Sequence, residues 1–353
     1  MDSATWLTET VTALEDAHDR LIVLIARYAA RDITTGLAGS SAYLTARLAA
    51  VDRLAADASR IIAAAATDPA LIDVFLTEGW RIGVGYADAD LTAAAAVFTG
   101  TPVTVTQPLT VHRLLTTLTH DTTRALHGTH TPLLRQATDA YRTAIYAAAR
   151  DMATGTVTGR QAVGQAVDRM ASRGIGAFID RAGRAWRPDT YADMALRTAY
   201  TTAANTGRLE RYRDRGHNLV IVSDASRECP LCRPWEGKIL AIDGAMPLEG
   251  VTVAGTVAQA TSAGLLHPRC RHSLNLYLPG LTAAAPATSD ARGYVQDQAA
   301  KRARSQARVA RARLAAAVEA GDPAGVARAR ARAVTAARAV RANPPVPLFP
   351  PSR

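Results

Sequence analysis

Cys229-Pro-Leu-Cys232-Arg-Pro-Trp235-Glu-Gly237-Lys238 and Gly264-Leu-Leu-His267-Pro-Arg-Cys270-Arg-His272-Ser273 hold all three cysteines of a 353-residue chain. One run is a tight Cys-x-x-Cys knuckle, and the other returns further sulfur and imidazole from far along the sequence. That is what a structural metal clip needs. Leu219-Val-Ile-Val-Ser223, just upstream, is a short apolar run between Asn218 and Asp224 and predicts a strand. Further short strands are expected over 238–242, 251–253 and 273–278. The chain before this point reads as helix. The two runs therefore predict a mainly α protein with a small α+β module: a helical body, a Cys/His-clipped β-containing module over 229–280, and a basic C-terminal helical hairpin.

Four ligands close a structural zinc site, and five candidates are present: Cys229, Cys232, His267, Cys270 and His272. The spacing is C-x2-C-x34-H-x2-C, with His272 competing for the fourth place, and metal-free thiols are the competing reading. Redox chemistry fails on context, because a thioredoxin-type motif opens a helix whereas Arg233-Pro-Trp-Glu-Gly237 is a turn. A deaminase lacks its His-x-Glu. A hydrolytic metal enzyme would need an open coordination position and a carboxylate base, and only Glu228 and Glu236 stand near. No phosphate-binding loop, nucleophile elbow or His-Glu-x-x-His occurs. The chain is read as no enzyme.

Outward from the module, Leu7, Val11, Leu14, His18, Leu21, Ile25 and Tyr28 alternate steps of four and three, a heptad seam with one polar interruption. Packing within its own domain is preferred to an intermolecular coiled coil. Helical pattern continues over 40–66 and 69–98, breaks in a Thr/Val/Pro/Gly stretch at 99–108, and resumes to about Met152. His127 and His130 flank Gly128 and precede Pro132, so both are expected in a turn. Another helix is expected over 155–173, and Pro188 opens a long one that Gly216 ends. The expected regions are 1–98, 99–155, 156–281 and 282–353.

Aromatics make up only 5% of the chain, so Ala, Leu and Val must fill the cores. Residues 291–353 hold 13 basic and 3 acidic residues, which matches the whole chain's net charge of +10, so the remainder is balanced. Such a tail favours polyanions. It predicts two charged helices around Gly321-Asp-Pro-Ala-Gly325, in which Asp322 can cap and Pro323 can start the second. A linker over 283–288 and a Pro-rich end over 344–351 flank them. No secretory signal is visible, and no run is long enough to span a bilayer, so no membrane partner is expected.

Several blocks in order resemble a known family. They are Gln161-Ala-Val, Ala177-Phe-Ile-Asp-Arg-Ala-Gly-Arg184-Ala-Trp186, Tyr191-Ala-Asp-Met-Ala-Leu-Arg197-Thr198, and the two Cys/His runs ending in Pro279-Gly280. The chain is similar to the minor capsid, or Mu-type head morphogenesis, proteins of tailed bacteriophages, and is closest to the phage minor capsid protein 2 group. The resemblance spans about half the chain. It implies a structural protein of the virion, made in the host cytoplasm and associated in few copies with the portal and other head proteins during head assembly. It also implies contact with packaged DNA through the basic arm, here Lys301, Arg302, Arg304, Arg308, Arg311, Arg313, Arg328, Arg330 and Arg332. Arg184, Trp186, Arg197, Trp235 and Gly237 are expected as structural core, with Asp193 as a carboxylate partner for Arg197. The rival reading is a DNA-binding regulator using a zinc-clipped finger. Its module carries too few cations for a reading face of its own.

Overall fold

The computed structural model describes residues 2–34, 41–95, 109–153, 157–158, 161–162, 164–166, 168, 178–180, 183–225, 227–244, 250–282 and 291–344. The expected break at 99–108, the linker at 283–288, most of the helix at 155–173 and the end beyond 344 lie outside them. The described elements are α1 (Ser3–Thr34), α2 (Ser41–Ala64), α3 (Pro69–Ala95), α4 (Leu109–His127), α5 (His130–Ala153), β1 (Phe178–Ile179), β2 (Ala185–Trp186), α6 (Pro188–Asp214), β3 (Leu219–Val222), β4 (Ile239–Ala241), β5 (Val253–Thr256), α7 (Val257–Ser262), β6 (Leu274–Leu276), α8 (Ala291–Glu319) and α9 (Pro323–Ala342). The protein is mainly α with a small α+β module.

The chain divides into two units. One comprises Ala4–Ala66, Leu126–Ala192 and Gln296–Arg353. Its core joins Leu21, Ile25 and Tyr28 of α1 to Leu54 and Ile61 of α2, Leu133 and Tyr141 of α5, and Ala312 and Ala316 of α8. The C-terminal part of the heptad seam is thus spent inside the protein's own core. Small side chains permit that close packing, and the few aromatics fill its wider places. Tyr28 and Tyr141 meet edge to face with ring centroids 6.5 Å apart, and the Tyr28 hydroxyl donates to Asp57 at 2.8 Å.

Two local expectations in this unit are corrected. His127 ends α4 and His130 begins α5, so the turn between them is only two residues long, and the rings lie 5.3 Å apart. Pro132 falls in the first turn of α5, where a missing N–H costs no helical bond. Asp322 stands at the N-cap of α9, with Pro323 following as expected, but its side chain makes no capping bond. Its buried carboxylate instead accepts from Arg328 at 3.5 Å.

The other unit comprises Met1–Ser3, Thr67–Ala125 and Asp193–Val295. Its sheet runs in the order β5-β4-β3-β6, with β3 antiparallel to both neighbours and β5 parallel to β4. Val220, Val222, Leu240, Leu274 and Leu276 bury their side chains with Tyr212 of α6 and Cys232. Helices α3 and α6 approach so closely that a Cβ on Gly83 would lie 1.9 Å from the Ala204 carbonyl oxygen, and one on Gly207 would lie 2.4 Å from that of Trp80. β5 begins two residues later than the expected strand. Thr256 then caps the short helix α7 in a reciprocal box with Gln259. The Thr-x-x-Gln signal for that helix stands in the sequence.

Candidate metal centre

The first knuckle is a backbone turn. The Cys229 carbonyl accepts the N–H of Cys232 at 3.2 Å and of Arg233 at 3.1 Å, and a single 3-10 turn, Arg233–Trp235, follows. Gly237 takes φ +69°, where a side chain would be strained, and donates its N–H to the Val222 carbonyl at 3.0 Å. That reversal feeds the chain into β4. Trp235 packs partly buried against the module core, and buried Glu228 holds Arg233 at 2.6 Å.

The second knuckle closes with the Cys270 N–H on the His267 carbonyl at 2.9 Å. Leu266 and Arg269 take positive φ there. Helix α6 braces this turn and the strand after it, with Thr198, Asn205 and Tyr212 at seven-residue steps along one side. Asp193 accepts from Arg197 at 2.6 Å and also from the Arg269 guanidinium. Thr198 Oγ1 accepts the Arg269 N–H at 3.2 Å. Asn205 accepts the Leu274 N–H at 3.2 Å and donates to the His272 carbonyl, and the Tyr212 hydroxyl accepts the Leu276 N–H at 3.1 Å. The Asp193–Arg197 pair matches the partner expected from sequence. Local sequence does not mark Thr198 or Asn205 as braces, because their partners lie 71 and 69 residues away.

The two turns bring the five candidate ligands together in two overlapping groups. Cys229, Cys232 and His267 form one, Cys232, Cys270 and His272 the other, and within each group the ligand atoms lie within 4.8 Å of one another. Cys229 Sγ is 2.8 Å from His267 Nε2, and Cys270 Sγ is 3.3 Å from His272 Nδ1. Fully buried Cys232 belongs to both groups, its Sγ 3.6 Å from that of Cys270. Two thiolates on a tetrahedral zinc stand about 3.8 Å apart, given Zn–S bonds of about 2.3 Å. Each imidazole is anchored through its other nitrogen: His267 Nδ1 on the Pro268 carbonyl at 2.8 Å, His272 Nε2 on buried Glu236 at 2.6 Å. Such outer partners fix the ring of a metal-bound histidine. The donor chemistry and spacing fit zinc.

The electrostatics favour a shared charge. The hydrogen bond from Cys232, opposed by burial and helped by the His272 ring and N–H, holds the Cys270 thiol down at about 4. The same Cys232–Cys270 bond, followed by burial, pushes the Cys232 thiol well above the usual range. Burial lowers His272, but its bonds to Cys270 and Glu236 outweigh that and raise it. Glu236 is turned onto His272 and the Ala225 N–H, and Glu228 onto Arg233. Both bonds to Glu236 fall on Oε1, and its Oε2 is buried with no hydrogen-bond partner among the described residues.

The remaining sequence-predicted residues fall elsewhere. Asp180 accepts from the Arg184 backbone N–H, Arg184 Nε and Trp186 Nε1, each at 2.8 Å, so Arg184 and Trp186 clamp the β1–β2 hairpin. Those bonds, the Arg184 N–H foremost, hold the Asp180 carboxyl down at about 2. In the tail, Arg308 pairs with Asp189 at 2.6 Å and Glu15 at 3.6 Å, and Arg311 with Glu15 at 3.3 Å. Arg313 and Arg332 share Asp168 at 3.7 and 2.9 Å, and Arg328 meets Asp322. Arg304 is half-buried, whereas Lys301, Arg302 and Arg330 are exposed.

Among the described residues no helix is long and apolar enough to cross a membrane. The family model described as phage minor capsid protein 2 matches residues 4–343. No curated protein and no solved structure matches.

Proposed function

The chain belongs to the phage minor capsid protein 2 family, and from that premise we propose that it associates with the portal, assists head assembly and contacts packaged DNA through its basic arm. Its place in the virion and its structural role among head proteins follow from the family itself. The observation that carries the reading is the extent of the match, which takes in both the helical body and the Cys/His module. The concentration of the net charge of +10 within residues 291–353 supports the DNA contact. Co-expression with the portal protein of the same phage tests the portal association. The two should co-purify through gel filtration, and separate elution of two folded proteins would overturn it.

The module's part in this function is to hold a shape. We propose one zinc ion bound by Cys229, Cys232, Cys270 and one of the two histidines, His267 or His272. Zinc there would supply folding energy rather than catalysis, since a closed four-ligand site leaves no position for substrate. The runner-up, a DNA-binding regulator reading bases with this module, is disfavoured because Arg269 is committed to Asp193 and Arg233 to Glu228.

A further inference from the structure

The arginines of the tail are not equivalent. Three arginines of α8 are engaged within their own unit: Arg308 with Asp189 and Glu15, Arg311 with Glu15, Arg313 with Asp168, whereas exposed Arg302 donates to the Gln298 carbonyl of its own helix. Helix α9 divides its arginines by side. At 100° per residue, Arg328 and Arg332 lie together, and these are the two that pair with Asp322 and Asp168. Arg330, Arg338 and Arg341 fall within an arc of about 80° on another side. All three are exposed, and among the described residues no carboxylate pairs with them. Between Pro323 and Ala342 there is no acidic residue, and Ala329, on the side away from Arg338, is buried.

We propose that the Arg330–Arg338–Arg341 face of α9 is the surface of this chain that docks on the phosphate backbone of duplex DNA, and that Arg308, Arg311, Arg313, Arg328 and Arg332 hold the fold instead. This rests on the DNA-contacting reading above and moves the contact within the arm, keeping Arg330 of the residues expected from sequence and adding Arg338 and Arg341. Charge complementarity identifies the occupant: three guanidiniums over about 16 Å of helix, with no carboxylate among them. The helix carries no aromatic residue, so it offers no platform for stacking unpaired bases. A duplex presents about one charge per 1.7 Å of its axis and needs no stacking partner. The contact is therefore independent of base sequence.

The test measures binding of the full-length chain to a short mixed-sequence duplex across a salt series. Three phosphate contacts contribute about 2.7 to the slope of log affinity against log salt. The triple variant Arg330→Gln, Arg338→Gln, Arg341→Gln should lose that part, so a fourfold salt rise weakens its binding about 40-fold less than it weakens wild type. The double variant Arg328→Gln, Arg332→Gln should keep the wild-type slope and melt at a lower temperature. A triple variant with an unchanged slope, beside a double or an Arg308→Gln variant with a reduced one, would overturn the assignment and leave the DNA-contacting reading standing. Absence of salt-dependent duplex binding by wild type would overturn both. Tighter binding to a single strand, or to polyglutamate, than to the duplex would overturn the choice of occupant.

Discussion

Cys232 Sγ lies 3.6 Å from Cys270 Sγ although 38 residues separate them. That is too far for a disulfide, whose sulfurs stand about 2.05 Å apart, and close to the edge of a zinc tetrahedron. The two knuckles are thereby joined across the module core, with Cys232 fully buried between them. Cys232→Ser should abolish the site, since Cys232 is the member common to both ligand groups. Metal analysis should find one zinc per wild-type chain and a substoichiometric amount in the variant, with a lower melting temperature. Wild-type protein without zinc, or a variant that retains it fully, would refute the clip.

Asp193 should matter to the same site from outside it. Its removal leaves Arg197 and Arg269 without their shared carboxylate, both only partly exposed. Asp193→Ala should cost about 2 kcal/mol, a figure reduced for the solvent that reaches Arg269. Because Arg269 sits in the second knuckle, transfer of zinc to a competing chelator should be favoured about 10- to 100-fold. Unchanged zinc affinity would show that α6 does not position the turn.

The α3–α6 crossing allows no side chain at Gly83. Gly83→Ala would push a methyl group into the Ala204 carbonyl and should destabilise by about 3 kcal/mol or more in urea denaturation. Gly85 is two residues away on the same helix, and a Cβ there meets nothing within 4 Å. Gly85→Ala should stabilise by about 0.5–1 kcal/mol, the ordinary gain of alanine over glycine in a helix. Equal effects of the two substitutions would contradict the described packing.

Asp180 supplies the pH dependence of the β1–β2 hairpin. Its carboxyl is held down at about 2, from an ordinary value of 3.8, by the Arg184 N–H first and then by Trp186 and the Arg184 side chain. A depressed folded-state value means the contribution is complete above about pH 4 and is lost as pH falls through about 2. The indole N–H resonance of Trp186 should therefore shift with a midpoint near 2 in acid titration, and Asp180→Asn should remove that step. A midpoint near 3.8 would mean the clamp does not form.

The sequence carried most of this fold because its signals were local. Heptad spacing placed α1, Pro188 opened α6, Pro323 opened α9, and the short apolar run from Leu219 placed β3. The turns were less legible where one position served two roles. Pro132 looked like a helix breaker yet lies in a first turn, and Asp322 looked like a cap yet spends its carboxylate on Arg328. At the metal centre the ligands were visible as residue types, but their supports were not. Glu236 reaches His272 from 36 residues away, and Asn205 reaches Leu274 at the start of β6 from 69 residues away. The division of tail arginines into those paired with a carboxylate and those not was likewise invisible, because Asp168, Asp189 and Glu15 are distant in sequence.

The central claim, that this chain is a structural component of the phage head, is tested most directly by quantitative mass spectrometry of purified, DNA-filled particles. The chain should be present in a fixed ratio to the portal protein, at a few copies per particle. Particles that lack it entirely, while the chain remains free in the lysate, would contradict the account.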